Sequence, residues 1–527
     1  MRECAEQVDR VPVPMCVFCN PHSESRDSIL LKYTKQMLFS MTIRCDFHFV
    51  FRSVGIHLIC GARGMNPALT PLNRACKISP FREDEGIIMM TNTDRTQIHI
   101  SGIGGVGMSA IAQALIDQGA VVTGSDRLLD QGDRTATLTC LENQGVLLSP
   151  QDGRGITSAT ARLVVSSAIE NDNPDVIAAR AAGLPIVHRS EELAALLRGR
   201  TLIAVTGTCG KSTVTALLGW LLEGVGADPL IVKGAAVVGW DKQGHRIGSV
   251  RSGKGTLAVI EADESDKSLM NFHPQHAIIT NASADHFGLE ETLSLFSSFR
   301  QRVPGVLVEG DPDADVMASF RSEGWHGFFT YEGVTYEVPM PGRHNLFNAY
   351  HAVRMARALG YAGLELAAVL KTFQGVDRRL QRVGVAGQTV VIDDYAHNPD
   401  KLSAAWTTLA AAFPQGICAV WRPHGFAPLR KMLDDLVEAF SRVIRPCDTF
   451  ILLPVYDAGG TADRSIDSDV LASRLEAKGV KVLRVSGLEE AEQRLREAIQ
   501  QKIGAVVTFG ARDPGLPRLA QRLAEVR

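Results

Sequence analysis

From Gln97 onward the chain repeats one pattern: a short, dense apolar run, a turn rich in glycine or acid, then a longer stretch with apolar positions at helical spacing. Ile98-His99-Ile100 leads into Gly102-Ile103-Gly104-Gly105-Val106-Gly107, a predicted helix over Met108 to Gln118, and a second strand at Ala120-Val121-Val122. Leu202 to Val205 leads into Thr206 to Thr213 and a helix over Val214 to Leu222. Leu257 to Ile260, Ala277 to Thr280 and Val390 to Ile392 each run straight into polar clusters. Runs this short and this uniformly apolar read as strands buried on both faces, and their alternation with helices predicts an α/β fold with mostly parallel sheets. Leu193 to Leu197 and Leu436 to Phe440 read as further core faces.

Residues 1–89 carry neither period and mix Arg, Cys, Pro and His without pattern. They read as a non-native or disordered extension, since a basic start followed by an apolar core, the mark of a targeting signal, is missing. At 527 residues the chain exceeds one core, and its length suggests about three or four domains. A linker falls near Arg198-Gly199-Arg200 and a hinge between Gly375 and Gly387.

A net charge of -3 supplies no basic field for nucleic acid or an anionic membrane, and no apolar run approaches bilayer length. The expectation is a cytoplasmic enzyme. Cys4, Cys16, Cys19, Cys45, Cys60 and Cys76 crowd the first segment, whereas Cys140, Cys209, Cys418 and Cys447 are scattered like reduced thiols. Cys16 and Cys19 make a single C-x-x-C with no matching second pair, so the spacing reads as incidental.

Candidate chemistry sharpens the picture at Thr206-Gly207-Thr208-Cys209-Gly210-Lys211-Ser212-Thr213. A strand, a glycine turn and a helix start present backbone N–H groups and the positive helix end to phosphate; Lys211 reaches the outer phosphates and Ser212 can ligate Mg²⁺. Val205 stands where a P-loop usually has its first glycine, so Gly207 and Gly210 must carry the turn. The chain is expected to bind a nucleoside triphosphate.

Gly102, Gly104, Gly105 and Gly107, followed by Asp126 after the next strand, form a second nucleotide motif of the G-x-G-x-x-G kind. A nicotinamide oxidoreductase with a fused NTPase is the rival reading. A second nucleotide site about a hundred residues on, and the lack of a dehydrogenase constellation, favour another diphosphate-bearing ligand. Glu261, Asp263, Glu264 and Asp266 gather at one strand end, where their mutual repulsion suits a cation. Asn281 to His286 form a polar cluster at another strand end, and in an α/β sheet such ends share one crevice.

TGTCGKST, EADESD, TNASADH, Gly342-Arg343-His344-Asn345-Leu346-Phe347-Asn348-Ala349, GVDRRLQ and DDYAHNPDK follow one another in the order found in the Mur ligases of peptidoglycan synthesis. The chain resembles that family over residues 97–527. Its GIGGVGMSAIA and Ser166-Ser167-Ala168-Ile169 segments are most similar to the alanine-adding and murein tripeptide-recycling members. The resemblance implies a Rossmann-like UDP-sugar domain over residues 90–198, a central ATP-binding domain with a mostly parallel sheet over 199–380, and a Rossmann-like C-terminal ligase domain over 381–527. It implies ATP and Mg²⁺, with UDP-N-acetylmuramate and an amino acid, L-alanine first, as partners. A sugar-borne carboxylate would attack the γ-phosphate, and an amine would capture the acyl phosphate.

By the same resemblance, Lys211 stabilises the transferring phosphoryl group, Ser212 and Glu261 match the first metal site, and His286 matches the residue of the second. Asn345 and Asn348 look like adenine-side contacts, Arg378 or Arg379 like the arginine that meets the phosphates after closure, and Asp394 like a ribose contact. Gly102, Gly104, Gly105, Gly107, Asp126, Ser166 and Ser167 would line the UDP-sugar. Tyr395, His397 and His424 would lie near the incoming amine, His397 as a proton acceptor or as a structural histidine.

The chain departs from the family at Pro423-His424-Gly425-Phe426-Ala427-Pro428-Leu429-Arg430. Alanine adders typically carry P-H-R-Y-[ST]-R there, so Gly425 and Pro428 replace two arginines that lie near the amino acid's carboxylate, with Arg430 the substitute by a shift of two. Asn398 stands where those enzymes usually show a second histidine, and Lys267 is assigned no role.

Overall fold

The computed structural model describes residues 97–525, except 131, 133, 243, 284–286 and 458–462, together with short strands earlier in the chain. It forms two compact units, Met1–Thr93 and Asp94–Arg527. In the first, Val17–Phe18 pairs with Leu30–Leu31 and His48–Phe51 with Ile56–Ile59, both antiparallel. The rest of the extension expected over 1–89 lies outside the described residues.

The second unit carries three large sheets flanked by helices, as the apolar pattern predicts, and a small antiparallel sheet of Arg321–Glu323, His326–Tyr331 and Val334–Val338. The first is wholly parallel, in the order Leu147–Ser149, Val121–Ser125, Gln97–Ser101, Thr160–Val165, Ile186–His188. The chain enters at the middle strand, runs outward one way and then the other, leaving a crevice at the carboxyl ends where the direction switches. The second sheet places the phosphate-loop strand Thr201–Thr206 between Leu257–Glu261 and His276–Ile279, all parallel. Leu230–Val232 and Leu307–Glu309 flank these, and Val250–Ser252 closes one edge antiparallel. The third sheet begins with the hairpin Gln381–Ala386 and Thr389–Asp394, then continues parallel through Ala505–Phe509, Ile417–Trp421, Thr449–Leu452 and Val482–Arg484.

Helix Val106–Asp117 is buried along Met108 to Leu115, because it is wedged between its own sheet and the edge of the next. Ile98, Ile100, Ala204, Leu230 and Phe299 therefore belong to one continuous apolar core that joins the first domain to the second. Removing so much contiguous apolar surface from water is the main force holding these two together. The third domain keeps a core of its own on both faces of its sheet, around Trp406, Phe440 and Phe509 on one side and Leu495, Leu516 and Leu519 on the other. No helix among the described residues is long and apolar enough to cross a membrane.

Candidate active site

The phosphate loop takes the shape its glycines allow. Gly207 has φ 130° and Gly210 φ 87°, conformations that favour glycine, and a Cβ at either would stand 2.1 Å from Thr280 Oγ1 or 2.5 Å from Asn348 Oδ1. These two residues do carry the turn in place of the missing glycine at Val205. No side chain caps the helix Lys211–Gly224 that follows, so its first-turn N–H groups are left for an anion.

Lys211 Nζ donates to Gly207 O at 2.8 Å and to Glu264 Oε2 at 2.6 Å. Burial pushes the Glu264 carboxyl above the usual carboxylate range, an effect Lys211 opposes, and Glu264 Oε1 is buried without a hydrogen-bond partner among the described residues. Ser212 Oγ donates to both oxygens of Glu261, at 2.8 and 3.0 Å, and Gly234 N donates to Oε2 at 2.7 Å. The neighbouring strand end closes over the loop: Asn281 Oδ1 accepts from Cys209 N at 2.9 Å and from Thr208 Oγ1 at 2.6 Å. Strand ends far apart in sequence thus meet in one crevice.

An oxygen-only donor pair, Ser212 with Glu261, suits Mg²⁺, which keeps waters and substrate phosphates instead of a full protein cage. Among the described residues no cluster of three or more His, Cys, Asp or Glu could hold a metal alone. His286, matched to a second metal position, lies outside the described residues. Asn348 is buried against Gly210 and donates to Asn345 Oδ1 at 3.2 Å, while Asn345 Nδ2 is held by Pro341 O.

In the first domain the glycine turn is pinned from the adjacent strand. Gly102 N and Ile103 N both donate to Ser125 O, and Gly104 N to Asp126 Oδ2 at 2.8 Å. Asp126 is only 8 % exposed, so it shapes this loop from beneath. A Cβ at Gly102 would stand 3.3 Å from Ile169, which brings the Ser166–Ile169 segment beside the motif. Ser167 Oγ lies 3.1 Å from His188 Nε2, and Ser166 Oγ accepts from Ala168 N. A Cβ at Gly107 would stand 3.0 Å from Arg189, whose guanidinium donates to Asp266 Oδ2 at 2.8 Å.

A cavity of about 90 Å³ opens where these parts converge, lined by Gly107 and Arg189 of the first domain and Lys233, Glu261 and Asp263 of the second. Sequence reading passed over Arg189 and Lys233. Their one sequence signal is position: each directly follows a short strand, Ile186–His188 or Leu230–Val232. Lys233 is 3 % exposed, and burial pushes its ammonium down to about 7, against the pull of Glu261.

The segment joining the second and third domains is anchored by the residues expected to contact nucleotide. Arg378, at φ 55°, donates to Asp393 Oδ2 at 3.0 Å and to the carbonyls of Gly510 and Ala511. Asp394 is buried; its oxygens accept from Leu380 N at 2.6 Å and Ala396 N at 2.7 Å, and desolvation raises its carboxyl to about 6. Arg379 makes no such anchor by its side chain among the described residues; its guanidinium stands 5.4 Å from the Tyr395 ring. Of the two arginines, Arg378 is committed to holding the hinge.

Near the third sheet, Tyr395, His397 and His424 form a ring cluster, with centroids 5.4 Å apart for the first pair and 4.9 Å for the second. His397 Nδ1 lies 2.9 Å from Tyr395 O. A carbonyl only accepts, so the ring donates through Nδ1 in this contact. Burial, with His397 and Arg512 adding to it, lowers His424 to about 4. Arg430 is engaged elsewhere, with Asp463 at 2.9 Å and Ser465 Oγ at 2.8 Å.

A phosphate loop in a mostly parallel sheet, fused to one Rossmann-like domain and followed by another, is the arrangement of a nucleotide-binding enzyme, and the comparisons with known proteins make it an ATP-dependent ligase that forms carbon–nitrogen bonds. The chain belongs to the Mur ligase family. The model for "Mur ligase family, catalytic domain" matches residues 97–201, and that for "Mur ligase, glutamate ligase domain" matches 378–512. A UDP-N-acetylmuramate--L-alanine ligase of Sinorhizobium medicae is 32% identical over 455 residues, covering 79% of this chain and 93% of that protein. One from Gloeobacter violaceus is 35% identical over 410 residues, covering 72% and 85%. The solved UDP-N-acetylmuramate-alanine ligase of Thermotoga maritima shares the fold at a TM-score of 0.66 and 24% identity, over 81% of this chain and 98% of that one.

Proposed function

We propose that this chain joins L-alanine to UDP-N-acetylmuramate, driven by ATP and passing through an acyl phosphate. The observation that carries the reading is the shared cavity: Gly107 and Arg189 of one domain and Glu261, the partner of Ser212, of the next line the same space, and Arg189 also pairs with Asp266. Relatives at 32% to 35% identity supply the substrates by name.

In this reading Lys211 and the uncapped helix start hold the ATP phosphates, and the chain places the sugar's carboxylate in line with the terminal one. Ser212 and Glu261 would hold Mg²⁺, which neutralises charge on the transferring group. Gly102 to Gly107, with Ser166 and Ser167, carry the sugar nucleotide. Asn345 and Asn348 face the adenine side, and Arg379, unanchored by its side chain, is the better placed of the two hinge arginines to meet the phosphates. His397 takes a proton from the incoming ammonium, which frees the amine's lone pair for attack on the acyl carbon while phosphate leaves. A nucleotide-linked sugar and ATP place the reaction in the cytoplasm.

Phosphate release by the full chain, measured with ATP, UDP-N-acetylmuramate and a panel of amines, tests the proposal. L-Alanine should give turnover that requires both substrates, with ¹⁸O from the acceptor carboxylate appearing in phosphate. Turnover with other amines alone, or unlabelled phosphate, would overturn it.

A further inference from the structure

We infer that Lys233 is the docking cation for the acceptor carboxylate, holding the sugar-borne acid beside the phosphate loop. The inference rests on the ligase reading above and adds a residue to it. Lys233 ends the strand Leu230–Val232, whose parallel neighbour Leu257–Glu261 lies between it and the phosphate-loop strand. Its side chain is 3 % exposed and lines the cavity shared by the two domains.

Nζ donates to the main-chain carbonyl of Ala235 and makes no ion pair among the described residues. Glu261, Asp377 and Arg379 are the charged groups that act on it from the surrounding elements. A buried cation with a single neutral acceptor is costly to hold, and an anion entering the cavity would offset that cost. Lys211 cannot serve both anions. Attack by a carboxylate on a polyphosphate brings like charges together, so the acid needs a cation separate from the one on the phosphates. Within the cavity, Lys233 and Glu261 stand on the side of the second domain and Gly107 and Arg189 on the side of the first, so an acid held at Lys233 leaves the rest of the sugar nucleotide toward the glycine motif.

The test compares binding of UDP-N-acetylmuramate and UDP-N-acetylglucosamine, which lacks the lactyl acid, by calorimetry on the full chain. Wild type should prefer the acid-bearing nucleotide. Lys233→Met should weaken that nucleotide about tenfold and leave the acid-free one unchanged, while Lys233→Arg keeps the preference. Retained ATP binding reports a folded central domain; should Lys233→Met lose it, Lys233→Gln takes its place in the comparison. Equal loss for both nucleotides, or an undiminished preference in the neutral variant, overturns the inference. Wild type that binds neither nucleotide overturns the ligase reading itself, and the inference with it.

Discussion

Arg189 of the first domain, which lines the cavity, and Asp266 of the second form a 2.8 Å ion pair between the two domains, with side chains only 29% and 21% exposed. The same guanidinium packs against Gly107, so one residue touches both the glycine motif and the acidic turn. Removing it should loosen the alignment of sugar and phosphate sites. Arg189→Ala is expected to lower kcat/KM for the sugar nucleotide about tenfold, corresponding to about 1.4 kcal/mol, in a phosphate-release assay. The double exchange Arg189→Asp with Asp266→Arg should recover part of the loss.

Lys211 is the loop's own cation, and no other ammonium lies in the loop. Lys211→Ala should reduce turnover by about three orders of magnitude or more, consistent with losing charge stabilisation of phosphoryl transfer. Glu264, buried and deprived of its partner, would then take up a proton, so the fold should survive as judged by circular dichroism.

Gly210→Ala tests the turn itself. The substituted residue must hold φ 87° and place its Cβ 2.5 Å from Asn348 Oδ1, a combination expected to cost about 1–3 kcal/mol. Thermal melting should show the loss, and ATP should no longer raise the melting temperature.

His424 gives the amine side a pH signature. Its folded value, about 4, lies below its ordinary 6.5, so the imidazole stays neutral in the fold while the unfolded chain takes up a proton. Stability should be level above about 6.5 and decline as pH falls toward about 4, by roughly 1–3 kcal/mol once partial solvent exposure is allowed for. His424→Gln should show a shallower decline in urea titrations between those limits. An unchanged slope would mean that the imidazole is not held neutral by its surroundings.

The alternation of apolar runs and helices, and the phosphate loop with its two working glycines, were legible because each depends on residues within a few positions of one another. A strand, a glycine turn and a helix start declare themselves locally. Asp126 and Asp394 were legible as polar residues at strand ends. That both face inward, onto backbone N–H groups of a glycine turn and a hinge, was not. Arg430 offered the right charge at the right end of the chain, but a loop some thirty residues on supplies Asp463 and Ser465 to occupy it.

What the sequence by itself determined is the strands that run into glycine turns and polar clusters, the α/β class and the family. What only the tertiary structure decided is which distant residues share a volume. Arg189 and Asp266 are 77 residues apart and Ser212 and Glu261 are 49 apart. Lys233 is buried at the end of a strand beside which the first domain's helix Val106–Asp117 packs. Local pattern fixes periodicity, which is a property of neighbours along the chain. The pairing of charges across a cavity depends on how sheets dock, and docking is set by apolar surface summed over whole domains.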